Sequence, residues 1–152
     1  MYLRPSTALT YAGARLALDA ALARASGLGV AVNVAVLDLS GVPLALARMD
    51  GAFTNSAAIA VDKARTVIGF GGAPTDGLYQ AIEGEPAVRD GIAGRSGVAA
   101  FAGGVAIVVD GGLIGAVGVS GGSAAQDKEV AQAGAAALTA AATTSREGEQ
   151  HP

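Results

Sequence analysis

Two runs rich in apolar, mostly β-branched residues, Val105–Val109 and Leu113–Val119, are joined by Asp110-Gly111-Gly112, and no other feature limits the fold of this chain so closely. Asp-Gly between such runs predicts a β-hairpin, because both central residues of the tight turn need φ > 0. Gly121-Gly122 then breaks the second strand. Ser123 and, three residues on, Gln126 form a reciprocal capping pair in which each side chain takes the other residue's amide. The stretch from Gly103 to Leu138 therefore predicts a hairpin running straight into a helix N-terminus, and any site chemistry is expected near that junction.

The same order occurs earlier. Ala31–Leu37 reads as a strand, Asp38-Leu39-Ser40-Gly41 as a turn with Asp first and Gly last, and Pro43–Met49 as a second strand. Asp50-Gly51 ends it; Thr54, Asn55 or Ser56 offers a cap; and Ala60, Ala64, Val67 and Ile68 follow at helical spacing. Ala35-Val36-Leu37-Asp38 resembles Ile107-Val108-Val109-Asp110, and Asp62-Lys63 resembles Asp127-Lys128, so the halves are either a duplication or two uses of one supersecondary unit. Ahead of them, Ser6 or Thr7 can cap a first helix that runs to about Ser26 and ends at Gly27 and Gly29. Between the halves, the glycine- and proline-rich segment 69–97 allows only short helical turns, at Thr75–Ile82 and Ala87–Ile92, in an excursion of the kind used for lids and interfaces. The hairpins should join in one antiparallel sheet with helices on its faces, an α/β (α+β) fold in the order helix, hairpin, helix, short helices, hairpin, helix. Residues 1–142 read as one domain and the polar segment 143–152 as a flexible tail.

Composition narrows the function. Apolar residues make up 51% of the chain but aromatics only 4%, with 23 glycines; small side chains leave a lone copy few large core anchors, so self-association is expected. A net charge of −3 with scattered basic residues argues against a nucleic-acid partner. The chain has no cysteine, which excludes disulfides, thiolate metal sites and cysteine nucleophiles. With no signal-peptide pattern at the start, a cytoplasmic location is the expectation. Asp38, Arg48 and Asp110 interrupt the apolar runs, so no membrane span is expected. The single histidine, His151, leaves little for a metal site, and none is expected.

Gly118-Val119-Ser120-Gly121-Gly122 matches the G-x-S-x-G pattern between a strand and a helix, but with His151 in the tail the serine lacks a base. Its glycines can simply permit a sharp turn, or the amides of Ser120, Gly121 and Gly122 can hold a carboxylate or phosphate at the helix start. Arg48 and Asp50, two apart at the other junction, point to one face and can orient one another or a polar ligand, or they can stand in solvent. Lys63 can run its stem along apolar surface to present an ammonium at the sheet edge, or be solvated. Arg95, with Arg89 and Asp90, can close over an anion, or be ordinary surface charge. Tyr79 can stack on a flat ligand, or pack as part of a helix face. Asp127 suits a helix N-terminus on dipole grounds alone.

Together, Ala47-Arg48-Met49-Asp50-Gly51-Ala52, Asp62-Lys63-Ala64, Gly103-Gly104-Val105 and Gly115 to Gly122 followed by Asp127 resemble the GlcG/HbpS-like family, often labelled haem-degrading domains and similar to the C-terminal domain of PduO-type proteins. The resemblance spans the first helix to about Ala141. It implies a profilin-like α/β sandwich, with an antiparallel sheet expected to hold about five strands, assembled into dimers and larger rings or octamers. It also implies a role for Gly104 in ligand binding, and haem as a possible cofactor. Two departures matter: no histidine lies outside the tail, and Ala106 stands where the family commonly has proline after Gly-Gly-Val.

Three functions follow as expectations. The first is a small-molecule site at the two junctions. There Arg48 or Lys63 counters a carboxylate and Asp50 carries a proton, giving isomerase- or lyase-type chemistry on a small oxo or hydroxy acid. The second is a haem- or tetrapyrrole-binding or redox-sensing module without turnover. The third is a structural oligomeric subunit.

Overall fold

The structure, a computed structural model, describes residues 1–149, with side chains through Arg146. Five helices and four strands follow in the order α1 (Tyr11–Leu28), β1 (Asn33–Asp38), β2 (Pro43–Arg48), α2 (Asn55–Gly69), α3 (Thr75–Ile82), α4 (Pro86–Ala93), β3 (Gly104–Val109), β4 (Gly112–Ser120) and α5 (Ala124–Glu149). Both hairpins form, and they join through their inner strands into one antiparallel sheet of order β2-β1-β4-β3. That sheet has four strands where about five were expected, because nothing beyond the two hairpins adds to it.

The two halves diverge in where they send their helices. α2 packs on one sheet face over Ala35, Leu37 and Ala116, whereas α5 packs with α1 on the other face over Val34, Val36, Val117 and Val119. Small residues serve the α1–α5 contact within the chain: Ala14, Ala17, Ala21 and Ala25 are fully buried, and a Cβ on Gly134 would lie 2.7 Å from the Ala17 carbonyl oxygen. Ala and Gly thus shorten the distance between helices, which raises the number of dispersion contacts per turn.

Several boundaries moved for local reasons. α1 starts later than Ser6 or Thr7 would set it; Thr10 is the cap, its hydroxyl accepting the Gly13 amide at 3.1 Å, and Gly29 closes the helix in the left-handed conformation. Ser123 and Gln126 form the expected reciprocal cap, at 3.0 and 3.2 Å. At the other end, α5 continues through Thr143–Glu149, where a flexible tail was expected. Thr143, Thr144 and Ser145 each bond the carbonyl four residues back, so their hydroxyls do not compete with the helix. His151 lies outside the described residues.

What positions the site is the seat of α2. Gly118 of β4 is paired with Ala35 on one side and Gly104 on the other, and the three form a shallow row beneath the helix. A Cβ on Gly118 would collide with the Ala60 carbonyl, and one on Gly104 would come within 2.7 Å of the Lys63 carbonyl. The helix therefore lies against bare backbone. Gly118→Ala is expected to cost about 3 kcal/mol or more, because backbone rather than a movable side chain blocks the new methyl. Gly84→Ala, where a Cβ meets open space, is expected to change stability by under about 0.5 kcal/mol. Urea denaturation of the two variants measures the contrast.

Candidate functional site

Because α2 sits so low, Lys63 on its third turn is fully buried. Its Nζ donates to the Val119 carbonyl at 2.8 Å and to Asp127 Oδ2 at 3.0 Å, and lies 4.6 Å from the centre of the Phe101 ring. Gly103 crosses so near that a Cβ there would be 2.7 Å from Nζ. Burial pushes the lysine below its ordinary pKa, while the hydrogen bond and charge of Asp127 pull the other way. The ammonium is thus turned inward, neither solvated nor presented at the sheet edge, the two arrangements the sequence allowed.

Asp127 is the residue that sequence reasoning undervalued. Its Oδ2 meets Lys63 and its Oδ1 accepts the Gly122 amide at 2.8 Å. The Ser123 amide goes to Gln126 and the Gln126 amide to Ser123. The amides of Gly122 and Ser123 are therefore engaged within the chain, and Asp127 occupies the place a bound carboxylate was expected to take. Gly121, at φ 139°, is needed for the turn itself, since a Cβ there would lie 2.8 Å from the Ala31 carbonyl. Gly104 is likewise a packing residue, its amide donating to Thr75 Oγ1 at 3.0 Å.

The other candidates lie in a row at the same end of the sheet. Asn33 of β1 is paired with Arg48 on β2 and with Ser120 on β4, so the three side chains share the α2 face. Arg48 and Ser120 are two strand spacings apart, roughly 10 Å between Cα atoms. The two glycine-marked corners thus share one end of the molecule, separated by a single strand. Arg48 and Asp50 are exposed on the edge strand and the turn after it, whereas Lys63 is enclosed against Asp127, so the three residues read as catalytic do not converge. Phe53 and Phe101 stand at this end with 70% and 50% of their surface exposed. Tyr79 is part-exposed on α3 beside Arg89, and Arg95 is exposed in the turn after α4, both on the excursion.

A second ion pair, Lys128 to Asp76 at 2.6 Å, ties α5 to the start of α3 and draws Asp76 below the ordinary carboxylate range. A concavity of about 620 Å³ opens at the opposite end of the sheet, among Arg4, Leu39, Ile68, Asp110, Leu113 and Arg146, remote from this row. Among the described residues, no three His, Cys, Asp or Glu side chains gather as a metal site would require, and no helix is long and apolar enough to cross a membrane.

This fold defines a class. The family model described as "Haem degrading protein HbpS-like" matches residues 9–136, and the chain belongs to the HbpS-like family. It is 33% identical over 131 residues to a 15.0 kDa protein from the dhaT-dhaS intergenic region of Citrobacter freundii, covering 82% of this chain and 87% of that one. It is 36% identical over 122 residues to the corrinoid adenosyltransferase PduO of Salmonella typhimurium, where the match covers 78% of this chain but only 35% of PduO. Among solved structures, the ORFY protein of Klebsiella pneumoniae superposes with a TM-score of 0.85 at 28% identity, covering 92% of this chain and 97% of that one. A double mutant of HbpS from Streptomyces reticuli gives 0.79 at 35%, covering 90% of each. A complex described as PduOC with haem gives 0.78 at 34%, covering 86% and 95%.

Lys63→Met is expected to destabilise the protein by about 3–5 kcal/mol, since it strands a buried carboxylate, and adding Asp127→Asn should restore part of the loss. Denaturant titration of the single and double variants gives both numbers. Asp76 has a depressed folded pKa, so its contribution is complete above the ordinary 3.8 and is lost as pH falls through the folded value. Asp76→Asn should therefore flatten the acid limb of a stability-versus-pH curve below about pH 4 while leaving its shape at neutral pH intact.

Proposed function

We propose that this protein binds a small molecule at the sheet end marked by Arg48, Asn33 and Ser120, and that a flat, anionic tetrapyrrole of the haem class is the ligand this end suits best. The observation that carries the reading is the solved haem complex of a relative 34% identical across 86% of this chain. The local chemistry is compatible. Two exposed phenyl rings, Phe53 and Phe101, offer apolar faces, and the exposed Arg48 guanidinium suits a propionate. The donor set is a poor match for axial imidazole: no histidine lies among residues 1–149, and the Met49 sulfur accepts the Val32 amide at 3.5 Å. Binding by ring contact and carboxylate pairing, with iron secondary, is the form of the proposal.

Assembly into homo-oligomers, from dimer to octamer, belongs to the same proposal, as does action in the cytoplasm. Isomerase- or lyase-type turnover of a small oxo or hydroxy acid by Asp50, Arg48 and Lys63 has weaker support, because it needs those three groups within reach of one substrate. The adenosyltransferase activity of the PduO relatives is not carried over; the chain spans 35 to 40% of their length.

Haemin titration of the apo-protein should produce a Soret shift saturating at micromolar concentration. Protoporphyrin IX without iron should bind within about tenfold of haemin, and His151→Ala should leave both affinities unchanged. Arg48→Ala should weaken both by about tenfold, the loss of one charge-assisted pair. Absence of any spectral change at micromolar haemin would refute the proposal.

A further inference from the structure

The α2 N-terminus carries an unfilled hydrogen-bonding position. Thr54 makes no side-chain cap, and no acidic residue stands in the first turn. The Phe53 carbonyl at its start accepts both the Ser56 amide at 3.1 Å and Asn33 Nδ2 at 3.0 Å, which aims the Asn33 carboxamide at this helix end. Asn33 is fully buried, and its other atom, Oδ1, has no partner. An orphan buried acceptor costs on the order of a hydrogen bond or more, and native proteins fill such a position with an ordered water or a ligand group.

Two more polar groups border it. Ala60 lies over Gly118; one turn back along α2 is Ser56, and two residues on along β4 is Ser120, so a helical turn of about 5.4 Å keeps pace with a strand step of about 6.6 Å. Ser56 and Ser120 are 6% and 5% exposed, among the described residues neither hydroxyl has a hydrogen-bond partner, and Ser120 is the register neighbour of Asn33. One acceptor that needs a donor, beside two hydroxyls that can donate, describes the complement of an sp³ hydroxyl: it gives one hydrogen and receives two. A keto oxygen or carboxylate would set acceptor against acceptor at Asn33, and an ammonium would face the positive end of the helix dipole. Arg48, the other register neighbour of Asn33, is exposed on the edge strand.

We propose that Asn33, Ser56 and Ser120 form a subsite for the hydroxyl of a small hydroxy acid, with Arg48 taking its carboxylate. The subsite shares Arg48, Asn33 and Ser120 with the sheet end assigned to the tetrapyrrole and adds Ser56 under α2, away from the phenyl faces. It makes the site selective for a hydroxy acid over the matching oxo acid, because a site built to hydrogen-bond a hydroxyl rejects analogues that lack it.

Thermal-shift titration of the full chain with D- and L-lactate, pyruvate and propionate at constant ionic strength tests it. One lactate enantiomer should stabilise the protein at a concentration at least about tenfold below that needed for pyruvate or propionate. Ser56→Ala and Ser120→Ala should leave the melting temperature of the unliganded protein unchanged or slightly higher, because neither hydroxyl has a protein partner to lose, while abolishing the preference for lactate. Ser56→Ala, on α2 and outside the row assigned to the tetrapyrrole, should retain the wild-type response to haemin, which separates this test from that of the tetrapyrrole proposal. Equal or absent stabilisation by lactate and propionate, a preference that survives both serine variants, or a fall in unliganded melting temperature in those variants each overturns the inference. So does an internal water that fills the position and is not displaced by lactate.

Discussion

Everything distinctive in this molecule depends on how closely one helix approaches one sheet. Ala35, Gly118 and Gly104 form a row across β1, β4 and β3 with almost no side chain on it, and α2 lies on that row with its Ala60 and Lys63 carbonyls against bare backbone. Dispersion contacts of this kind fade steeply with separation, so a helix lifted by one methyl would forfeit much of the interface. The same approach leaves Lys63 with no exposed surface.

A buried lysine is a liability unless it is paired, and the structure pairs it with a residue 64 positions away. Asp127 faces two ways, toward the ammonium and toward the Gly122 amide, so one carboxylate satisfies both the cation on α2 and the start of α5. The interaction joins the two halves across opposite faces of the sheet. Such a pair contributes uniqueness of arrangement more readily than net stability, because desolvation of both charges offsets most of their attraction. The Phe101 ring and Gly103 lie against the ammonium of this pair.

The consequence for chemistry is a division of labour at one end of the sheet. The charged pair is enclosed and acts as a fastener, whereas the polar row beside it, from Arg48 through Asn33 to Ser120, faces outward from the edge strand inward to an unsatisfied acceptor. Among the described residues Arg48 has no carboxylate partner, and the carboxylate against Lys63 is already engaged with the Gly122 amide. Membership of the HbpS-like family places the chain among proteins of the same fold, one of which was solved with haem.

Local chemistry alone made both hairpins, the reciprocal cap at Ser123, the α3 boundaries and the antiparallel class of the sheet legible, because turn glycines, β-branched runs and capping side chains act within a few residues of one another. Arg48 and Ser120 could likewise be picked as junction residues from their glycine breaks. The start of α1 at Thr10 is not legible where several hydroxyls compete as caps, and α5 runs helical to Glu149 through a stretch of polar composition. What only the tertiary structure decided was partnership across distance: that α2 and α5 take opposite faces, that Asp127 closes the helix end the sequence left open to a ligand, and that Asn33 lies between Arg48 and Ser120 with one oxygen unmatched. Those outcomes depend on which backbones can approach most closely, and that is set by glycines that meet across the sheet and not by neighbours in the chain.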